Sequence, residues 1–205
     1  MSIAIVIVFG RPGAGKSTVS EKALELYNSH EVESLEPTTS PTSTLHCLDL
    51  DVCVPQWMKD NFAQGIYPTL DQRIEFAVGA CNHVDEMLKS MQPLDKAIIS
   101  FSFVNTDLRN VFRSRFPDAK WVLVDTDDTE AQNRINQREG HFYKGAPPAE
   151  VAKDVKLEAD NSEWNFAKVE FDHVVLDGSQ SVDANAKQVL EIFDASCVIT
   201  TQSNS

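Results

Sequence analysis

Apolar residues along this chain gather into five short runs, separated by stretches with helical spacing. The first run, IAIVIVF at residues 3–9, is continuous rather than alternating and stops at Gly10. Such a run fits a strand buried on both faces, as in the middle of a parallel sheet. Good helix formers follow a polar start, so a helix is predicted from about Lys16 to Tyr27. LHCLDLD at 45–51, AIISFSF at 97–103, WVLVDTD at 121–127 and FDHVVLD at 171–177 supply four more strands. Residues 55–69 contain Gly65 and Pro68 and read as a short helix and a turn. Asp71 is read as the cap of a long helix to about Ser90, whose apolar positions include Ile74, Phe76, Ala77, Val78, Val84, Met87 and Leu88. Helices are also predicted over 106–115, 128–138, 149–160 and 181–194. Strands alternating with helices predict a doubly wound, three-layer α/β fold.

Three stretches break this rhythm. Residues 29–44 are rich in Ser, Thr, Pro and Glu and read as a surface insertion. GHFYKGAPP at 140–148 has two glycines and two prolines and reads as a loop, within a lid region over 139–160. TTQSNS at the end reads as a frayed tail, so one domain is expected over 1–197 and a flexible tail over 198–205.

Composition narrows the partners. The chain has 205 residues, 42% hydrophobic and 24% charged, which suits one domain with a sizeable core. Its net charge of −13 comes with no Lys/Arg block, which argues against nucleic acid or an anionic membrane as partner. Cys47, Cys53, Cys81 and Cys197 form no CxxC pair and read as thiols of a reducing compartment. The apolar start has no basic n-region, and no apolar run approaches the ~20 residues a membrane helix needs. A cytoplasmic protein is expected.

The strongest chemical signal is GRPGAGKS, Gly10 to Ser17, which fits G-x-x-x-x-G-K-[ST] without a gap. It follows a buried strand and opens a helix, the context this motif requires. Gly10, Gly13 and Gly15 allow the backbone to turn and approach a ligand closely. The amides of the loop, with Pro12, Ala14 and Thr18 in the same run, then face the phosphates of ATP. Lys16 reaches the β- and γ-phosphates, and the Ser17 hydroxyl ligates Mg²⁺.

Candidate acid–base groups follow the second strand. Asp49 and Asp51 lie at i and i+2 and point the same way if the strand continues. One can accept the proton of an acceptor hydroxyl while the other, Asp49, holds Mg²⁺ through water; which is the base stays open. Asp125, Asp127 and Asp128 after the fourth strand read as capping and solvated residues. Arg134 and Arg138, at i and i+4 on one helix face, can clamp a transferring phosphoryl group.

RINQREGHFYK at 134–144 resembles the lid of the gluconate kinases, with their R-x-x-x-R-x-G-H-F pattern. FAQGIYPTLDQR at 62–73 is similar to that family's Ala, Gly, Pro and Arg segment, DLD at 49–51 stands where it has Asp-Gly-Asp, and SFSFVNTDLRNVFR at 100–113 resembles its third strand and following helix. The resemblance implies the P-loop fold of small-molecule kinases: a parallel five-stranded sheet in the order 2-3-1-4-5, helices on both faces, and a lid. It implies ATP as donor and a small-molecule acceptor lined by Asp51 or Asp49, Arg73 and His141. It further implies Arg134 over the nucleotide, Arg138 at the phosphates, and a homodimer. The match departs at the acceptor side. Val54-Pro55 stands where the family has His-Pro, Glu75-Phe76 where it has Pro-Trp, and Val104 where its third strand ends in Lys. Apolar residues at Val54 and Val104 suit a base better than a polyol. A nucleoside, nucleotide or polynucleotide-end kinase and a nucleotide-binding regulator without turnover therefore stay open beside a sugar-acid kinase.

Overall fold

The computed structural model describes residues 3–33, 43–139, 143 and 166–200. His141, the predicted helix over 149–160, most of the lid, Trp164 and most of the 29–44 insertion lie outside these residues.

Five strands form one sheet: β1 (Ala4–Phe9), β2 (Leu45–Asp49), β3 (Lys96–Phe101), β4 (Lys120–Asp125) and β5 (Val174–Asp177). Their order is β2-β3-β1-β4-β5, and every pairing is parallel. Among the described residues six helices surround it: α1 (Lys16–Glu33), α2 (Gln56–Ala63), α3 (Leu70–Ser90), α4 (Thr106–Arg115), α5 (Asp128–Gln137) and α6 (Val182–Thr200). This is the predicted three-layer arrangement, with the predicted strand order.

The continuous apolar run of β1 has its expected cause. Val6, Ile7, Val8 and Phe9 are each at most 1% exposed, because alternate side chains feed two different cores. Val6 and Val8 join Val19 and Ala23 of α1 and Val189 and Phe193 of α6 on one face. Ile7 and Phe9 join Ala77, Val84, Leu108 and Phe112 of α3 and α4 on the other. Each such side chain contributes ~1.5–3 kcal/mol by leaving water.

Parallel register aligns the strand ends. Phe9 pairs with Phe101, Asp49 with Ser100, and Asp125 with Asp177. The carboxyl ends of the strands therefore share one edge, and the loops leaving that edge share one space.

The sequence boundaries need four corrections. α1 continues to Glu33, into the stretch read as an insertion. α6 continues to Thr200, past the expected end of the domain at 197. α3 is capped by Thr69, not Asp71: the Thr69 hydroxyl accepts from Gln72 N at 3.4 Å, and Gln72 Oε1 accepts from Thr69 N at 2.9 Å. This reciprocal box satisfies two backbone donors, so it outcompetes Asp71, which sits in the first turn. β2 stops at Asp49, and Leu50–Cys53 turns into a 3-10 helix capped by the Asp49 carboxylate, which accepts from Asp51 N at 3.0 Å.

One buried cation holds the β3–α4 connection. Arg109, 1% exposed, donates to Phe103 O at 2.7 Å, Val104 O at 3.1 Å and Ala167 O at 2.7 Å, and its guanidinium lies 4.4 Å from the centroid of the Phe166 ring. The connection is sharply bent at Phe103, whose φ of 41° is left-handed. Arg109 thus ties this turn to the chain at 166–168. Arg109→Leu is expected to leave several buried carbonyls unpaired and to lower the unfolding free energy by about 3 kcal/mol, read as a lower urea midpoint. A loss under about 1 kcal/mol would contradict this role.

Candidate active site

The loop from Gly10 to Gly15 leaves β1 at the carboxyl edge and delivers α1. Two of its glycines are needed for different reasons. Gly13 has φ 81°, and a Cβ there would lie 2.3 Å from Ala131 O of α5. Gly10 serves packing instead: a Cβ there would lie 2.6 Å from Val124 O of β4. Thr126 Oγ1 donates to Ala14 O at 3.1 Å, tying the loop to the end of β4.

Two connected depressions flank this loop. One is lined by Ala14, Gly15, Thr18, Arg134, Gly178 and Gln180, with Asn185 of α6 behind. This is the nucleotide side of the loop, and the LDGSQ turn after β5 forms part of its wall. The other begins at Pro12, Gly13, Lys16 and Ser17, passes Asp49 and Asp51, and continues to Val54, Arg73 and Val104, enclosing about 1160 Å³ that includes solvent at its mouth. Gly13, Lys16, Ser17 and Arg138 border both.

The structure thus brings together Lys16, Ser17, Asp49, Asp51, Arg73, Arg134 and Arg138, while His141 is outside the described residues. Asp49 and Asp51 reach the cleft differently from the prediction, since the strand ends between them. Ser17 donates its hydroxyl to Asp49 Oδ2, so the P-loop helix and the end of β2 meet through these two side chains. This pair of hard oxygen donors at the end of a phosphate cradle fits Mg²⁺ shared with phosphate and water. Among the described residues no cluster of three or more His, Cys, Asp or Glu side chains forms a metal cage. Such a site therefore needs the nucleotide's oxygens.

Arg134 and Arg138 both border the depression beside Gly15 and Thr18. α5 ends at Gln137, and Arg138 is its C-cap, with φ −75° and ψ 114°. Its φ is still helical, and the extended ψ turns only the chain that follows it. Arg134 stays helical, pairs with Glu130 at 2.9 Å, and approaches Ala14 O at 3.5 Å. Asp127 caps α5 by accepting from Thr129 N at 2.8 Å, and Asp128 pairs with Arg11, in line with their capping reading.

Arg73 is buried on α3. Its Nε donates to Asp107 Oδ2 at 2.7 Å and Nη1 to Pro68 O at 3.1 Å. The Asp107 partnership was not visible in the sequence, because the two residues are 34 positions apart. Several lining residues were missed for the same reason. Met58 and Phe62, one turn apart on α2, join Tyr67, Phe101 and Leu108 from three other segments, which no spacing rule links to them.

Lys16 is 8% exposed and donates to Arg11 O at 3.1 Å. Burial lowers its pKa to about 8, against the opposing pull of Asp51 and Asp49, while Arg138 lowers it further. A buried lysine with a lowered pKa in a cleft is typical of a binding site.

No protein-family model matches this chain, and no curated protein matches it by sequence. Solved structures do match. A sugar kinase from Janibacter sp. HTCC2649 superposes with TM-score 0.66 at 20% identity, over 94% of this chain and 95% of that one. The protein has the fold of the P-loop kinases. A gluconokinase from Sinorhizobium meliloti 1021 matches at TM-score 0.63 and 18% identity over 98% of each chain. The Mycobacterium tuberculosis APS kinase CysC, in complex with AMPPNP and APS, matches at TM-score 0.63 and 14% identity over 94% of this chain and 98% of that one.

Two predictions follow from the Lys16 environment. In the free protein Lys16 loses its proton near pH 8, whereas bound phosphate holds the proton on. ATP affinity should be insensitive to this group below about pH 7 and fall above pH 8, by up to about tenfold per pH unit. Calorimetric titration across pH 7–10 checks this, and Lys16→Arg, which keeps its charge, should flatten the dependence. Because the folded pKa lies below the unfolded one, the buried charge costs stability below about pH 8 and the cost fades as pH rises. Lys16→Met should therefore raise the unfolding free energy at pH 7 by roughly 1–3 kcal/mol, read as a higher thermal midpoint, while abolishing ATP-induced stabilisation.

Proposed function

We propose that the protein transfers the γ-phosphoryl group of ATP, with Mg²⁺, to a hydroxyl of a small molecule held in the same cleft. The observation that carries this reading is the continuity of that cleft. It runs from the phosphate cradle at Lys16 and Ser17, past two carboxylates, to a separate chamber around Arg73 and Val104. A nucleotide-binding regulator needs the cradle but has no use for an acceptor chamber joined to it.

The roles follow from position. The loop amides, the α1 N-terminus and Lys16 bind the ATP phosphates. Ser17 and, through water, Asp49 would hold Mg²⁺, which when bound neutralises developing charge on the phosphates. Asp49 is engaged on both oxygens, by the Ser17 hydroxyl and by Asp51 N, which supports a place for it on the metal side. Asp51 is the general base: it takes the proton of the acceptor hydroxyl as that oxygen attacks the γ-phosphorus and ADP leaves. Arg138, bordering both depressions, stabilises the transferring group, and Arg134 lies against the nucleotide. The APS kinase of the same fold binds AMPPNP together with APS, which supports a donor and an acceptor side by side. Among the described residues no helix is long and apolar enough to cross a membrane.

The test is ³¹P NMR of ATP, Mg²⁺ and a panel of hydroxyl-bearing metabolites with the protein. A phosphomonoester resonance is expected, and release of inorganic phosphate alone would contradict transfer. Asp51→Asn should lower kcat by about 10²–10⁴-fold with ATP affinity unchanged. Asp49→Asn should instead raise the Mg²⁺ concentration needed for half-maximal rate. If Asp51→Asn keeps wild-type kcat, Asp51 is not the base.

A further inference from the structure

The acceptor chamber has the wrong chemistry for a sugar acid. Beyond the two carboxylates, its described wall is built from Val54, Met58, Phe62, Phe76, Phe101 and Val104. A polyol entering it would exchange several water hydrogen bonds for contacts with carbon, leaving polar groups unpaired. An acid would need a cation for its carboxylate. Among the described residues Lys16 and Arg138 line the phosphate end of the cleft, and Arg73 lies on the acceptor side with its Nε on Asp107 at 2.7 Å and its Nη1 on Pro68 O.

The same wall suits a flat ring. Phe62 packs edge-to-face on Tyr67, with centroids 5.4 Å apart at 79°, and on Tyr143 at 5.9 Å and 77°. The Tyr67 and Tyr143 hydroxyls bond to each other at 3.2 Å, so these phenols present ring faces and edges to the chamber. Burial raises both pKa values, so both phenols remain neutral. A second aromatic pair, Phe76 and Phe101, packs 5.3 Å apart at 41°. Two groups of rings from different elements thus border one chamber, and a flat ring gains by contact with such aromatic side chains. The polar lining at the β3–α4 connection is sparse: Ser102 and Asn105, enough to meet the edge of a ring heteroatom.

We propose that the chamber accepts a planar heterocycle carrying a hydroxyl, of the nucleoside class, and orients that hydroxyl toward Asp51. This rests on the phosphotransferase reading above. In the step, the acceptor O–H proton passes to the Asp51 carboxylate and a new P–O bond forms to the acceptor oxygen. The bond between the γ-phosphorus and the β,γ-bridging oxygen breaks, leaving ADP and a phosphate monoester. A free nucleoside and the 5′ end of an oligonucleotide both carry such a ring, and the net charge of −13 favours the free nucleoside.

The test separates binding from turnover. With Mg²⁺ and AMPPNP present, adenosine, cytidine, a 5′-hydroxyl dinucleotide and D-gluconate are each titrated by calorimetry, and the same four are assayed with ATP for phosphomonoester. A nucleoside is expected to bind at least tenfold more tightly than gluconate and to be phosphorylated. Phe62→Ala should raise the nucleoside KM tenfold or more. Its KM for ATP should stay unchanged, which shows the fold is intact. Phosphorylation of the dinucleotide but not the free nucleosides supports ring recognition and assigns it to a chain end. Gluconate binding more tightly than every nucleoside, or no nucleoside binding at all, overturns the proposal. A nucleoside that binds yet yields no phosphomonoester supports the ring-binding chamber and contradicts the phosphotransferase reading instead.

Discussion

The burial of β1 between β3 and β4 is the constraint on which the rest of the molecule depends. A strand with two apolar faces can only lie in the middle of a covered sheet, and its partners must then be parallel strands returned by helices. Parallel register sends every strand end to one edge. Phe9, Asp49, Phe101 and Asp125 therefore stop within reach of one another, although they are far apart in sequence. The phosphate loop, the carboxylates after β2 and the β3–α4 turn are neighbours because of that register. The meeting of Ser17 with Asp49 is its chemical product.

The site built this way is costly in its ligand-free form. Lys16 is buried with its ammonium on a loop carbonyl, and Phe103 holds a left-handed backbone beside the acceptor chamber. Arg109 secures that turn through backbone carbonyls from two segments. Rigid elements thus carry each reacting group, and the unfavourable placements fall where phosphate and acceptor would relieve them.

Much of this was legible in the sequence, for reasons that can be named. The β1 run and the glycine loop are local: burial on both faces and phosphate binding each leave a contiguous signature. The second-strand carboxylates were legible as candidates but not in geometry, because Asp49 caps a 3-10 turn and ends the strand that spacing alone extends to Asp51. Arg138 was legible as a candidate for the cleft but not as a helix C-cap. Asp71 drew the helix start away from Thr69 because a single acidic residue is easier to see than a reciprocal box. Arg109 was not singled out in the sequence, because its partners are backbone carbonyls at 103–104 and 167–168 that no spacing rule connects to it. The aromatic chamber left no local trace, since Phe62, Phe76, Phe101 and Tyr143 belong to separate segments brought together only by the fold.

The chain therefore joins a nucleotide half of common design to an acceptor half with its own chemistry. The claim beneath both is that Ser17 and Asp49 complete a metal–nucleotide site only when phosphate arrives. Calorimetric titration of ATP with and without Mg²⁺ tests it most directly, in the wild type and in Ser17→Ala. The account predicts affinity that tightens at least tenfold with Mg²⁺ in the wild type and loses that gain in Ser17→Ala. Equal affinity with and without Mg²⁺ in the wild type, or no ATP binding, would contradict it.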